Sequence, residues 1–168
     1  GEWLRVKADM EDWPSFAASF HRIVGLVADI GAASQPRPPA TISVLSGDIH
    51  FSYAAQIHFL DRPMTSRLYQ LVNSPIRNAL TGPERTAMRL GKSHVAGALG
   101  RVLRRAVGKR REPMRWAVDA GPVFDNCIGE LTFDDARADL SVMRALPYDA
   151  DSGPQLEEVI DLDLTATD

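Results

Sequence analysis

The chain of 168 residues is 45% hydrophobic and 24% charged, and it carries a net charge of −3 at pH 7. This composition is typical of one globular domain, or of a large part of one, and it excludes a wholly disordered chain. No apolar run approaches the ~18 residues of a membrane span, and the first residues lack the pattern of a secretory signal, so we predict a soluble protein without a membrane partner. The compartment stays open, with the cytoplasm slightly favoured.

Charge is distributed unevenly along the chain. Residues 1–111 contain 16 Lys and Arg against 8 Asp and Glu, whereas residues 112–168 contain 3 against 14. The two parts therefore attract each other. Two solvated faces are the simpler interpretation, and a basic, substrate-facing part packed beside an acidic β-rich part is the other.

The first predicted element is a helix that begins near Asp12 and Pro14. Asp12 can cap free backbone N–H groups, and Pro14 stands where its missing N–H has no cost. Apolar residues then recur at spacings of four and three, which places them on one buried face: Phe16, Phe20, Ile23, Val27 and Ile30. Gly31 offers a stop, and the proline-rich residues 35–39 cannot continue a helix.

Three strands are predicted next. Residues 41–45 are β-branched and mostly apolar, which indicates a short buried strand. Residues 51–60 and 67–72 indicate two more, separated by a turn near Pro63. The chain is expected to leave the sheet after Asn73.

A second helical region is predicted from about residue 82 to residue 107, and it ends in a run of arginines and lysines that reaches residue 111. Cations in this position suit the negative end of a helix dipole. A nucleic-acid site is the alternative, and we disfavour it because the run has no interleaved aromatic residues and the whole chain is acidic.

The last third of the chain has the pattern of strands, at residues 115–118, 128–133 and 138–143. Apolar and polar residues alternate in the last two, and residues 134–137 fit the turn between them, which predicts an antiparallel hairpin. Residues 160–164 alternate in the same way and could add an edge strand. Trp116 and Phe124 are expected in the core, because rings of this size add much burial.

Gly47-Asp48-Ile49-His50 follows the first predicted strand, and the carboxyl end of a strand is where α/β proteins commonly bind ligands. Asp48 and His50 supply one hard oxygen and one imidazole nitrogen, which suits a divalent or trivalent metal ion. Cys127 is the only cysteine, so a cysteine-based zinc site is excluded. Taken alone, a turn aspartate and a satisfied histidine explain this short motif better than a metal site does.

The longer string at residues 44–55, VLSGDIHFSYAA, resembles the late motif of the PhoD-like alkaline phosphatases. The resemblance extends in family order to residues 9–13 (DMEDW), 69–78 (YQLVNSPIRN) and 121–131 (GPVFDNCIGEL). It implies an α/β fold that is part of a metallophosphoesterase-type β-sandwich flanked by helices. It also implies a metal centre, with calcium, iron or manganese as plausible ions, that activates water to hydrolyse a phosphate mono- or diester.

The family's Gly-Asp-X-His motif maps onto Gly47, Asp48 and His50, so the resemblance makes His50 the first metal-ligand candidate and Asp48 a ligand or its orienting partner. The earlier metal-binding motifs of the family have no counterpart here, and two ligands cannot complete a catalytic metal centre. We therefore expect residues 1–168 to be the C-terminal portion of the domain. The partners expected are the missing N-terminal half or another chain, or a second copy of this one.

Weaker site candidates lie near the motif. Arg77 and Asn78 follow a strand and are candidates for contact with phosphate, although surface hydrogen bonding or loop capping explains them better. Ser52 and Tyr53 alternate along a strand, so at most one of them faces the site. His58 is taken as structural, because eight extended residues separate it from His50 by roughly 26 Å. The alternative function is a non-catalytic β-rich interaction module that keeps the scaffold and binds a partner through its basic face.

Overall fold

The computed structural model describes residues 17–32, 36–47, 50–74 and 114–166. They form one helix, α1 (Ala17–Gly31), and seven strands: β1 (Thr41–Ser46), β2 (Ser52–Phe59), β3 (Arg67–Val72), β4 (Met114–Val123), β5 (Cys127–Asp134), β6 (Arg137–Ala145) and β7 (Leu156–Asp163). The expected beginning of the first helix, near Asp12, and the whole second helical region lie outside these residues. No helix of the described ranges is long and apolar enough to cross a membrane.

The strands form two sheets. The first sheet has the order β1-β3-β2-β4, with β1 parallel to β3 and the other pairs antiparallel. The second sheet is the antiparallel meander β5-β6-β7. The expected α/β class holds in part, because the described residues are mainly β-structure with one helix and one parallel strand pair.

The two sheets share one hydrophobic core. Its buried side chains come from the facing sides of both sheets: Ala54, Tyr69, Leu71, Cys127, Ala138, Leu140, Val142, Ile160 and Leu164. Residues two apart on a strand point to the same face, so Tyr69 and Leu71 of β3 face the second sheet while Leu68 and Gln70 face away from it. The described strands therefore form two sheets around one hydrophobic core.

The predicted C-terminal hairpin is confirmed. β5 and β6 pair from Cys127 with Arg144 to Asp134 with Arg137, which leaves two residues in the turn. The first turn residue, Asp135, has a positive φ of 52°, a conformation that aspartate adopts more readily than most residues. The expected edge strand is also present, since β7 pairs with β6 at the border of the second sheet.

β1 differs from its prediction as a buried strand. It lies at the border of the first sheet among the described strands, and Leu45 is 67% exposed. An apolar, β-branched run indicates a strand but does not specify its neighbours. Trp116 also differs from the prediction, since it is 38% exposed on β4, whereas Phe124 is buried as expected.

Helix α1 ends at Gly31, as predicted, and contacts the first sheet there. The Gly31 carbonyl oxygen accepts hydrogen bonds from the N–H groups of Thr65 at 3.0 Å and Ser66 at 3.2 Å. A Cβ atom at Gly31 would lie 2.7 Å from Met64 Cε and 3.0 Å from Ile42 Cδ1, so a larger residue would force these side-chain ends to shift. Of the predicted apolar face, Phe20 is buried, whereas Ile30 is 44% exposed.

The three strands of the second sheet all come from the acidic last third of the chain. Arg137 lies 2.8 Å from Asp139 and 3.5 Å from Asp163, and Arg144 lies 2.7 Å from Glu157 and 3.5 Å from Asp125. These ion pairs are exposed to solvent, so each contributes little stability. They orient the arginines along the sheet surface.

Candidate functional site

The carboxyl ends of β1 and β3 lie side by side at one border of the first sheet. The two strands are parallel and pair Ser46, the last residue of β1, with Val72, the last residue of β3. Beyond this pair, the N–H group of Asn73 donates a hydrogen bond to the Ser46 carbonyl oxygen at 3.1 Å. The segments that follow both strands therefore start from the same edge of the sheet.

The connection from β1 to β2 crosses this edge. β3 lies between β1 and β2, so the chain leaves β1 at Gly47 on one side of the carboxyl end of β3 and enters β2 through His50 and Phe51 on its other side. This crossing spans two strand spacings, roughly 10 Å. Gly47 and His50 of the Gly-Asp-Ile-His motif therefore flank the end of β3, and a Cβ atom at Gly47 would lie 3.5 Å from the Asn73 carbonyl oxygen.

His50 stands where the crossing turns into β2. It is exposed and its φ is 59°, in the left-handed region, which costs a residue other than glycine roughly 1 kcal/mol. The next residue, Phe51, anchors the end of the crossing, because its ring stacks on Tyr53 with centroids 5.6 Å apart and meets Phe124 at 5.7 Å. Burial also raises the pKa of the Tyr53 hydroxyl.

A buried hydroxyl group connects β2 to the end of β3. Ser52 is fully buried and donates a hydrogen bond from Oγ to Oδ1 of Asn73 at 3.0 Å. The same Oγ accepts a hydrogen bond from the N–H group of Ser74 at 3.3 Å. Two residues after His50, the chain is therefore fixed to the segment that leaves β3.

Asn73 also connects the edge to the second sheet. Its Nδ2 donates to the carbonyl oxygen of Cys127 at 3.5 Å. A Cβ atom at Gly129 would lie 3.3 Å from Asn73 Cγ, so the absence of a side chain at position 129 makes room for the amide. Asn73 thus contacts β1, β2 and β5, and we name Ser52, Asn73 and Ser74 the edge cluster.

Cys127 belongs to the core rather than to the candidate metal site. Burial raises the pKa of its thiol, and a hydrogen bond with the Ser52 side chain opposes that rise only in part. Burial therefore favours the neutral thiol, which packs in the hydrophobic core.

The structure places one of the four predicted site residues. His50 lies at the edge just described, whereas Asp48, Arg77 and Asn78 fall outside the described residues. Within the described ranges, no three His, Cys, Asp or Glu side chains come together as a metal-binding group. His58 lies at the opposite end of β2, where it pairs with Arg115, so it is far from His50.

Asn73 was not identified from the sequence as a residue of the candidate site. Its hydrogen bonds link strands that are 54 residues apart in sequence, and no local pattern predicts such pairs. The one available signal was the order of residues, an asparagine directly after an apolar strand. The expected alternation of Ser52 and Tyr53 is confirmed, because Ser52 is buried toward Asn73 while Tyr53 stacks on Phe51.

Comparisons of the chain with protein-family models, with curated protein sequences and with solved structures found no match.

Proposed function

We propose that this chain supplies part of a metal centre that hydrolyses phosphate mono- or diesters. Asp48 and His50 are the metal ligands in this proposal, and the remaining ligands come from residues of the parent protein outside this chain. The observation that supports it is the position of Gly47 and His50 on either side of the carboxyl end of β3, beside β1. Strand ends of this kind are the usual ligand-binding edge of sheets with parallel strands.

The donor set supports the choice of reaction. An imidazole nitrogen and a carboxylate oxygen bind borderline and hard metal ions, and the resemblance of residues 44–55 to the PhoD-like phosphatases favours calcium, iron or manganese. Such an ion, when bound, supplies Lewis acidity and a more acidic water. The chain's own task is to hold His50 in position, which the edge cluster and Phe51 do from the β2 side.

Arg77 and Asn78 have a place in the same proposal. The chain leaves β3 through Asn73 and Ser74 at the edge where Gly47 and His50 lie, and Arg77 follows Ser74 by three residues in the sequence. A guanidinium group binds two oxygens of a phosphate at once, and an amide adds a further donor. We propose that both residues contact the phosphate group of the substrate.

The left-handed backbone at His50 supports a functional role for this residue. Conformations of this kind cost free energy and recur at binding and catalytic sites, where the surrounding structure maintains them. Replacement of His50 by glycine would relieve the strain, and replacement by alanine would not. The pair His50→Gly and His50→Ala therefore separates the contribution of the backbone from that of the imidazole.

The test is hydrolysis of p-nitrophenyl phosphate and bis-p-nitrophenyl phosphate by the chain co-produced with the preceding segment of its parent protein. Calcium, iron and manganese are each added. We expect metal-dependent hydrolysis that His50→Ala and Asp48→Asn reduce by about 100-fold or more, since even residues that only orient a ligand contribute 10-fold to 100-fold. His58→Ala is the matched control and should retain activity. Absence of hydrolysis with every metal would remove the proposal.

A second function, a non-catalytic interaction module, has one observation in its favour. Trp116 and Val118 stand two residues apart on β4 and are exposed, so they share one face. An exposed aromatic and aliphatic pair is typical of binding surfaces. Reduced partner binding by Trp116→Ala, together with unchanged binding by His50→Ala, would favour this function.

A further inference from the structure

A cavity of about 140 Å³ opens between the two sheets at the end where β1 and β3 finish. Its walls are aliphatic side chains from the facing sides of both sheets: Leu45, Leu71, Leu131, Leu140 and Val142. Leu71, Leu140 and Val142 belong to the hydrophobic core and are buried, whereas Leu45 is largely exposed at the mouth. The cavity is therefore an apolar recess with an opening at the border of the first sheet.

The size of this recess corresponds to one small ring. A cavity of roughly 150 Å³ with aliphatic and aromatic walls stays dry and binds benzene. Transfer of an apolar ring from water into such a site is favourable because it removes the ring's surface from water. That cavity is enclosed, whereas this recess is open on one side, so the substituent of a bound ring would point outward past Leu45.

The rim defines the charge that the recess accepts. Ser46, Asn73 and Glu130 are the polar residues of the lining, and no lysine or arginine is among its described residues. With no cation to offset the loss of water, the aliphatic walls disfavour an anion such as phosphate itself. A neutral ring with one hydroxyl or ether oxygen at the rim suits both the walls and the opening.

The rim adjoins the edge where the proposed metal centre lies. Ser46 and Asn73 are joined by the 3.1 Å hydrogen bond between their backbones, and Gly47 follows directly after Ser46. We propose that this recess binds the alcohol part of the substrate, which makes the substrate class phosphate esters of small monocyclic aromatic alcohols. The role in substrate choice depends on the proposed function, whereas binding of the ring does not.

Methyl NMR with phenol as the probe tests the binding of the ring. Saturable shifts are expected at the methyl groups of Leu71, Leu140 and Val142, with a dissociation constant of roughly millimolar order for so small a ligand. The exposed Leu60 and Leu156 lie elsewhere on the surface and are the internal controls. Equal shifts at all these leucines, or no saturation, would overturn the proposal.

Two variants sharpen the test. Leu45→Trp adds bulk at the exposed mouth and should weaken phenol binding roughly tenfold, because the added indole ring competes with phenol for the recess. Glu130→Gln is the control, because Glu130 pairs with Ser141 and shares the exposed face of β5 and β6, and it should leave phenol binding within about twofold. Unchanged phenol binding by a folded Leu45→Trp, or an equal loss of phenol binding in both variants, contradicts the proposed recess.

The outcomes separate this proposal from the metal centre. Phenol binding without ester hydrolysis by the reconstituted protein would leave the recess in place and remove the proposed function. Hydrolysis of methyl phosphate as rapid as that of phenyl phosphate, without phenol binding, would leave the function in place and remove the recess as the site of the alcohol part.

Discussion

Ser52→Ala is the substitution that tests the edge cluster most sharply. Ser52 is fully buried, and removal of its hydroxyl leaves Asn73 Oδ1 without the hydrogen bond of 3.0 Å and the Ser74 N–H group without the one of 3.3 Å. Each buried polar group that loses its partner costs roughly 1–3 kcal/mol, and Asn73 and Ser74 are half-buried, so the lower part of that range applies to each. The free energy of unfolding should fall by about 2 kcal/mol.

Urea denaturation measures this change, and Ser141→Ala is the matched control. The Ser141 hydroxyl also makes one side-chain hydrogen bond, to Glu158 at 3.1 Å, but this bond lies on the exposed surface. Its loss should cost less than about 0.5 kcal/mol. An equal, small effect of the two substitutions, with unchanged denaturant slopes, would refute the view that the hydroxyl of Ser52 holds the edge together.

Three further predictions concern the helix, the thiol and one carboxylate. Gly31→Ala should destabilise the protein by about 1 kcal/mol, because the crowding of the new methyl group costs more than the gain in helix propensity. Gly25→Ala has open space around the new methyl group and should stabilise the protein by up to about 1 kcal/mol. Equal shifts of the two thermal unfolding midpoints would contradict this. The Cys127 thiol, buried and with a raised pKa, should react with a thiol reagent only when urea unfolds the chain, and rapid reaction in buffer would contradict its burial. Hydrogen bonds from Thr165 lower the pKa of the Asp163 carboxyl, so its contribution to stability is complete above the ordinary carboxyl pKa and is lost as the pH falls through the lowered value. The unfolding free energies of the wild type and Asp163→Asn should therefore converge as the pH falls from about 7 to about 2, and a constant difference would contradict the shift.

Local pattern predicted most of the strands. Residues 67–72 are mostly apolar and bounded by turn residues, and the observed β3 has the same ends. The hairpin of β5 and β6 could be predicted equally well, because its turn residues stand between two runs in which apolar and polar residues alternate. Such signals depend on neighbours in sequence, which is why they could be read without a structure.

Pairings between residues that are distant in the sequence could not be predicted in this way. The parallel pairing of β1 with β3 puts β1 at the border of the sheet, and nothing within residues 41–45 specifies that neighbour. β4 was expected to end at residue 118, yet it continues to Val123 past Gly121 and a following proline, which usually mark a turn. Gly121 has a φ of 86° and lies against Ser52, and the pairing of β2 with β4 shifts its register between Ser52 and Ala54. An irregularity of this kind lets a strand pass a glycine and a proline.

The residues of the candidate site likewise divide into those that the sequence predicts and those that only the fold brings together. The Gly-Asp-Ile-His motif and its position after a strand could be recognised from sequence. The edge cluster could not, since Ser52 and Asn73 are 21 residues apart and meet only because β2 and β3 pair. Arg77 and Asn78 lie outside the described residues, so their contact with phosphate stays a prediction.

Titration of the chain with Mn²⁺, followed by paramagnetic line broadening in NMR spectra, tests the metal role of this edge most directly. Broadening is expected first at His50, Gly47 and Asn73, with His58→Ala behaving as the wild type. His50→Ala should abolish this broadening while leaving any weak broadening along the acidic second sheet unchanged. Broadening confined to the carboxylates of the second sheet, or identical broadening at Gly47 and Asn73 with and without the His50 imidazole, would contradict a metal site at the end of β1.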